Sequence, residues 1–491
     1  MSFQNKVILI TYGDSLGGNL GRLAELLDGE LADVFGSVHV LPPFPSSADR
    51  GFAPTTYERI EPALGGWPDM ERIGRRHGLV VDMMVNHISR QSAYFKDFAA
   101  HGRTSRYADY FITLDKVWPD GVPKQADVAK IHLRKPGGPF SDVEIATGGI
   151  ERVWTSFGSR DWSEQIDLDV GSSATRGFFE RTLRDLKSHS VSTVRLDAVG
   201  YVIKKPGTNC FFVEPEIWDF LDWIKAAADR IGIELLPEVH AELSYNVKLA
   251  ERGYWVYDFG LPALVLHSFF SGSAAELRSY LGRCPKHQCT TLDCHDGIPI
   301  LPDLTGILDV ASMRRVVDRC VERGANVSRI LSDDGKVEGF DAHQINITYY
   351  SAMGEDDEAY LAARAIQLFA PGIPQIYYVG FLAGRNDPAA IASTGDGRYV
   401  NRHDYSEAEV RAELDRPVVQ RLLELIGLRN SHPAFSGDLS IGGSGSGCLE
   451  LAWRSGSDRC SLSVDFAAKR AYITDAHEGA DSRTIRLWGK D

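Results

Sequence analysis

Eight short apolar or β-branched runs are spread along the chain, each followed by a polar or glycine-containing loop and then by a segment with helical spacing: KVILITYG, GSVHVLPPF, LVVDMMVNH, TVRLDAVG, ELLPEVH, WVYDFGLP, CTTLDCHDG and IPQIYYVGF. Strands that alternate with helices imply right-handed crossovers and a parallel sheet, and eight such units are the number that closes a barrel. The spacing predicts helices over Arg22 to Leu31 and over Pro215 to Arg230, where apolar positions recur at three- and four-residue steps. The expected fold class is α/β, a (β/α)8 TIM barrel with inserted subdomains and a small C-terminal antiparallel β domain.

The units are unevenly spaced, and the excess length falls in two places. Residues 86–165, rich in Gly, Pro and aromatics, match no single crossover helix and are assigned to an inserted subdomain B. Residues 297–350 form a second insertion, a long connection containing the polar stretch SDDGKVEGFD. Connections longer than about 15 residues are usually functional or disordered. Both of these leave the C-terminal ends of strands, where barrel active sites sit, which favours function. The barrel is then expected from 1–85, 166–296 and 351–430. Residues 431–491 alternate strand-like pieces with Gly and Ser clusters and read as the C-terminal β domain.

Charge and cysteine usage narrow the function. A net charge of −14 on 491 residues opposes a nucleic-acid backbone and is indifferent to a neutral sugar. An anionic substrate would need a local basic pocket, so Arg134 and Lys135 stand out. The seven cysteines show neither CxxC pairs nor a dense disulfide framework and are read as reduced thiols. MSFQNKVILITYG lacks the features of a signal peptide, and no apolar run reaches the roughly 18 residues a membrane span needs. A cytoplasmic protein without membrane or nucleic-acid partners is therefore expected.

Three acids sit at strand ends in barrel order: Asp197 in TVRLDAVG, Glu238 in LLPEVH and Asp296 in LDCHDG. A lone acid at such a place serves equally well as an ion-paired strand terminus. Three on the catalytic face suit cleavage of a glycosidic bond with retention, which needs a carboxylate nucleophile and a nearby carboxylic acid.

DMMVNH (Asp82 to His87), VRLDAVG, EVH and CHDG stand in the order of the conserved regions of the α-amylase family, which the chain resembles over essentially its whole length. The resemblance implies Asp197 as nucleophile, Glu238 as general acid/base and Asp296 as the third acid, with Arg195 keeping Asp197 ionised and His87 and His295 bonding sugar hydroxyls. VILITYGDSLGG, ADRGFAP, NITYYSAMG, PGIPQIYYVGFLAG and GRYVNRHDYS resemble the sucrose-phosphorylase branch of that family. By this similarity Asp49 and Arg402 would clamp the far hydroxyls of one glucose ring, Phe52 and Phe157 would form its apolar wall, and Gln165 would join the binding set. The reaction implied is double displacement with inorganic phosphate as acceptor, and it requires no metal or organic cofactor. Members of the branch occur as monomers or homodimers.

At the acceptor side the sequence departs from that branch. It reads DAHQIN, with His343 and Gln344, and HLRKPGGPF, with Arg134 and Lys135. One histidine and two cations suit a phosphorylated acceptor through charge-assisted hydrogen bonds. This resembles the phosphorylases of sucrose 6(F)-phosphate, giving glucose 1-phosphate and fructose 6-phosphate. Unphosphorylated sucrose, glucosylglycerate and glucosylglycerol remain alternatives, because a cationic pocket also accepts phosphate alone or a carboxylate.

Overall fold

A computed structural model of the chain describes residues 3–158, 163–332, 335–476 and 482–489. All eight expected runs form strands: β1 (Ile8–Thr11), β2 (Ser37–Val40), β3 (Gly78–Met84), β4 (Val191–Asp197), β5 (Glu234–Pro237), β6 (Val256–Asp258), β7 (Gln288–Thr290) and β8 (Ile373–Tyr377). Seven parallel pairings give the order β6-β7-β8-β1-β2-β3-β4-β5. The end strands β5 and β6 contact each other, which brings the sheet round into a barrel. Every residue of β3 and β4 is buried, as strands covered on both faces must be.

The helices fall close to where the spacing places them. The first runs over Leu20–Asp28, two residues earlier than expected at its start, because the Asn19 side chain accepts from the backbone N–H of Arg22 and caps it there. The second covers Glu216–Asp229 with Pro215 as its cap residue.

The first insertion opens and closes on one antiparallel ladder, His87–Ser89 against Gln165–Asp167. Between them lie the helix Ala93–His101 and the hairpin of Phe140–Glu144 with Ile150–Trp154. The second insertion is more ordered than a long loop: Ala342–Asn346 is the centre of a three-stranded antiparallel sheet with Ile298–Pro299 and Asn326–Arg329, and the helix Val310–Glu322 lies between them in sequence. Its amphipathic spacing, with Met313, Val316, Val317 and Cys320 buried, was the legible signal for that helix. Within the stretch SDDGKVEGFD, Asp333 and Asp334 lie outside the described residues. Five antiparallel strands from Asp438 to Trp488 follow in chain order as the C-terminal sheet. The seven cysteines are free thiols. Among the described residues no helix is long and apolar enough to cross a membrane.

Candidate active site

Asp197 is the last residue of β4 and Glu238 follows β5 directly, whereas β7 stops at Thr290 and Asp296 sits on the connection beyond it. All three line one cavity of about 310 Å³. Arg195, two positions before Asp197 and therefore on the same face of the strand, lies between the first two acids. It donates from Nη1 to Asp197 at 2.9 Å and pairs through Nη2 with Glu238 at 2.9 Å. Beneath it Asp82 accepts from Arg195 at 2.5 Å and from His39 at 2.8 Å, and the Gln375 amide donates to the other His39 nitrogen at 3.1 Å. Strands β2, β3, β4 and β8 thus supply a fully buried polar floor that fixes the guanidinium. Past Asp197 the backbone turns through Ala198 at φ 50°, a left-handed conformation rare for alanine, and the Ala198 N–H donates to Glu238 at 2.9 Å.

This packing shifts the acids apart. Burial and the Glu238 carboxylate push Asp197 well above the usual carboxylate range, against the pull of Arg195. Burial also acts to raise Glu238, but Arg195 and His240 outweigh it and hold Glu238 low. The two carboxyls, both in contact with Arg195, titrate as one coupled pair, and these directions favour Asp197 as the seat of its proton. Asp296 stays ionised: burial opposes the charge, and His295 with Arg398, Arg402 and Arg195 holds its carboxyl far below the usual range.

The sugar-sized end of the cavity carries Phe52, His87, Phe157, Gln165 and His295. Phe52 stacks on His295 with ring centres 4.9 Å apart and planes 7° apart, and its carbonyl accepts from His87 at 2.9 Å and from Gln165 at 3.3 Å. Burial pushes His295 down to about 4, so it is a neutral ring at neutral pH. Phe157 packs edge-on against Tyr201 at 5.0 Å.

Of the two residues expected to clamp the far hydroxyls, Asp49 lines the catalytic cavity and Arg402 does not. Asp49, held at φ 51° in the turn after β2, pairs with Arg398 at 2.6 Å, and Arg398 lines the cavity beside it. Arg402 is buried behind this pair, donating from Nε to the His295 carbonyl at 2.8 Å and lying 3.6 Å from Asp296. It lines a separate cavity of about 530 Å³ on the other side of the Asp49–Arg398 pair.

At the acceptor side two expectations change. His343 and Gln344 do face the cavity, presented by the strand Ala342–Asn346. That strand abuts Gly297 so closely that a Cβ there would meet Asn346 Oδ1 at 2.6 Å and the Ile345 carbonyl at 2.8 Å. Arg134 reaches in from the first insertion and donates to His343 Nε2 at 2.6 Å, while His343 Nδ1 donates to the Leu301 carbonyl at 2.7 Å. Guanidinium has no acceptor and carbonyl no donor, so the imidazole carries one proton and is neutral. Burial and Arg134 keep His343 well below its ordinary range in agreement. Lys135 turns away from the cavity, buried with its ammonium on Thr155 at 2.6 Å.

Residues not singled out from the sequence complete this wall: His132, Tyr201, His240 and Arg329. His240 is the signal that was available, since it closes the EVH motif.

Beside the site, Lys204 is 2% exposed at its side chain, with its ammonium 2.7 Å from Asp167 and 3.0 Å from both Asn86 and Ser156; it also bonds the Tyr201 carbonyl. An internal ammonium therefore ties both ends of the first insertion to the turn after the nucleophile strand. Among the described residues no group of three or more His, Cys, Asp or Glu is arranged to hold a metal ion.

Residues 34–242 match the family described as alpha-amylase, catalytic domain. The sucrose 6(F)-phosphate phosphorylase of Thermoanaerobacterium thermosaccharolyticum is 52% identical over 98% of this chain and 99% of its own. The chain belongs to the alpha-amylase family. The sucrose phosphorylase of Streptococcus mutans is 45% identical over 89% of this chain and 90% of its own. The crystal structure of the sucrose 6F-phosphate phosphorylase from Thermoanaerobacter thermosaccharolyticum superposes with a TM-score of 0.96 over 99% of each chain, at 52% identity. For an alpha-amylase family member, three acids lining one cavity at the mouth of the barrel are then the place to look for glycosyl transfer.

Proposed function

We propose that the chain is a retaining phosphorylase that transfers glucose from sucrose 6(F)-phosphate to inorganic phosphate. The Asp197 carboxylate attacks the anomeric carbon while Glu238 gives its proton to the departing fructosyl oxygen, leaving a β-glucosyl ester on Asp197. A phosphate oxygen then attacks the same carbon, its proton passes to Glu238, and the ester bond breaks to free Asp197. Two inversions give α-glucose 1-phosphate. The first step needs that pair's proton on Glu238 and the charge on Asp197, the reverse of the directions above, so the proton crosses from Asp197 to Glu238 when the sugar fills the site, with Arg195 in contact with both acids. Asp296 and His295 hold the distorted ring.

In this reading residues 86–165 and 297–350 are the insertions that wall the acceptor side of a barrel made from 1–85, 166–296 and 351–430. The observation that carries the phosphorylated acceptor is the cationic make-up of that side: Arg134 and a charged His240 line the same cavity as Glu238, with Arg329, itself paired with Asp341, at its edge. Neutral His343 serves as the acceptor that orients Arg134, and Lys135 takes no part. On the other wall the Asp49–Arg398 pair limits the donor to one glucose ring.

The test is release of glucose 1-phosphate from sucrose and from sucrose 6(F)-phosphate, side by side in phosphate buffer. A large advantage for the phosphorylated sugar is expected. Equal use of both, or an advantage for sucrose, would transfer the reading to sucrose phosphorylase. The turned-away Lys135 is the observation that favours this second reading.

A further inference from the structure

Asp303 lies in the second insertion, 3% exposed, on the turn that follows Ile298–Pro299. Its Oδ2 is 3.3 Å from Nδ1 of His240, and its Oδ1 is buried with no hydrogen-bond partner among the described residues. His240 is the side chain it serves. The other ring nitrogen, Nε2, is 3.6 Å from Glu238 Oε1. The imidazole stacks flat on Phe259, ring centres 4.1 Å apart and planes 15° apart, which sets the plane in which its nitrogens meet the two carboxylates.

A histidine between two carboxylates keeps its second proton. Burial works against the charge, but Asp303 and Glu238 overcome it and raise His240 to about 10. The groups facing it are few. Asp303 and Glu238 contact its two nitrogens, the neutral His343 ring lies 6.1 Å away with Arg134 bonded to its far side, and Arg195 and Asp296 border a small cavity they share with His240. Of the two carboxylates, Glu238 cannot supply a constant field, because its proton is given up and regained in each turnover. Asp303 can, being outside the reacting cavity.

We propose that Asp303 is a positioning residue for the acceptor step: it fixes the His240 imidazolium beside Glu238, so that inorganic phosphate meets a permanent positive charge where the leaving oxygen has departed. Water carries no charge and gains nothing from it, so Asp303 biases the glucosyl ester towards phosphorolysis over hydrolysis. This rests on the phosphorylase reading above.

The wild-type enzyme is assayed first, and no phosphate-dependent glucose 1-phosphate would remove the phosphorylase reading itself. Given that activity, the KM for phosphate is measured for wild type, Asp303→Asn, Asp303→Glu and His240→Gln at pH 5.5 and pH 8.5, with hydrolysis as the control. Taking variant over wild type at each pH cancels the titration of phosphate. For Asp303→Asn the ratio should be smaller at pH 5.5, where acid and Glu238 still favour the imidazolium, and rise to about tenfold or more at pH 8.5, where they do not. Hydrolysis should change much less, and Asp303→Glu should restore most of the affinity. His240→Gln should raise the KM at both pH values alike. A ratio for Asp303→Asn that does not depend on pH, or a hydrolysis rate that falls in step with phosphorolysis, would overturn the proposal. Should Asp303→Asn fail to fold, His240→Gln still decides: an unchanged KM for phosphate refutes the role of the imidazolium, and a raised one supports it.

Discussion

The Arg134 guanidinium donates to Nε2 of His343 at 2.6 Å, so the histidine and one of the two cations expected at the acceptor side form one unit carrying a single charge. Of these two side chains, Arg134 alone brings a charge to an acceptor phosphate. Arg134→Ala should lower the preference for sucrose 6(F)-phosphate over sucrose by about 10-fold or more, since removing one charge-assisted contact forfeits roughly 1.5–3 kcal/mol. The ratio of kcat/KM for the two sugars measures it. His343→Tyr should shift the same ratio towards sucrose by releasing Arg134 from its orienting partner.

Lys135 makes the complementary case. Its ammonium is buried against Thr155, outside the catalytic cavity. Lys135→Ala should leave the sugar preference unchanged within about twofold while lowering thermal stability, because the Thr155 hydroxyl keeps only Ser141 and a buried side chain is removed. Differential scanning fluorimetry and the two-substrate assay on one preparation separate these effects.

Asp197→Asn should reduce glucosyl transfer by about 10^4-fold or more without loss of the fold, as removal of a covalent nucleophile does. Initial rates of glucose 1-phosphate release and a melting curve check both halves. Near-normal turnover would sink the mechanism.

The ion pair of Asp49 with Arg398 should dominate donor binding. Asp49→Asn leaves Arg398 facing the cavity with Asp396 as its remaining close partner, and kcat/KM should fall by roughly 30-fold or more, the consequence of losing about 2 kcal/mol or more from a desolvated pair. Arg402→Lys should act differently. Its target is the His295 carbonyl and Asp296, so kcat should fall more than KM rises.

Through its buried histidines, acid should begin to destabilise the protein above the usual carboxylate range. Burial holds His295 and His132 at about 4, and burial with Arg134 keeps His343 well below its ordinary value, whereas in the unfolded chain each binds a proton near pH 6.5. The unfolded state therefore takes up more protons as pH drops through this window, and stability is lost from about 6.5 down towards 4. His240 has the opposite sign: raised to about 10, its contribution is complete below about 6.5 and fades as pH rises towards 10. Melting temperatures should fall on both sides, His132→Gln flattening the acid limb and His240→Gln the alkaline one.

The parts legible in the sequence are those whose chemistry lies next to a regular element. Asp197 and Glu238 stand at strand ends, so an unbroken run such as STVRL or ELLP announces their position. Arg398 and Arg402 were not separable in this way. They lie four residues apart around a short 3-10 turn, Gly397–Asn401, and which of them meets Asp49 depends on a strained backbone far off in sequence. Lys135 and Arg134 are neighbours in an irregular segment, where adjacent side chains diverge. The neutrality of His343 was hidden because it follows from the carbonyl of Leu301, forty-two residues earlier. His240 and Asp303 meet only once the second insertion has folded back over the barrel.

The lysine that ties the first insertion to the barrel is attached to the chain it fastens. An ion held in the same oxygen cage could be stripped by a chelator or diluted away, and the wall of the active site would then track the composition of the medium. Lys204 cannot leave, so its effective concentration at Asp167, Asn86 and Ser156 is set by the fold alone. The geometry around the nucleophile is in that sense fixed by a side chain of the protein itself.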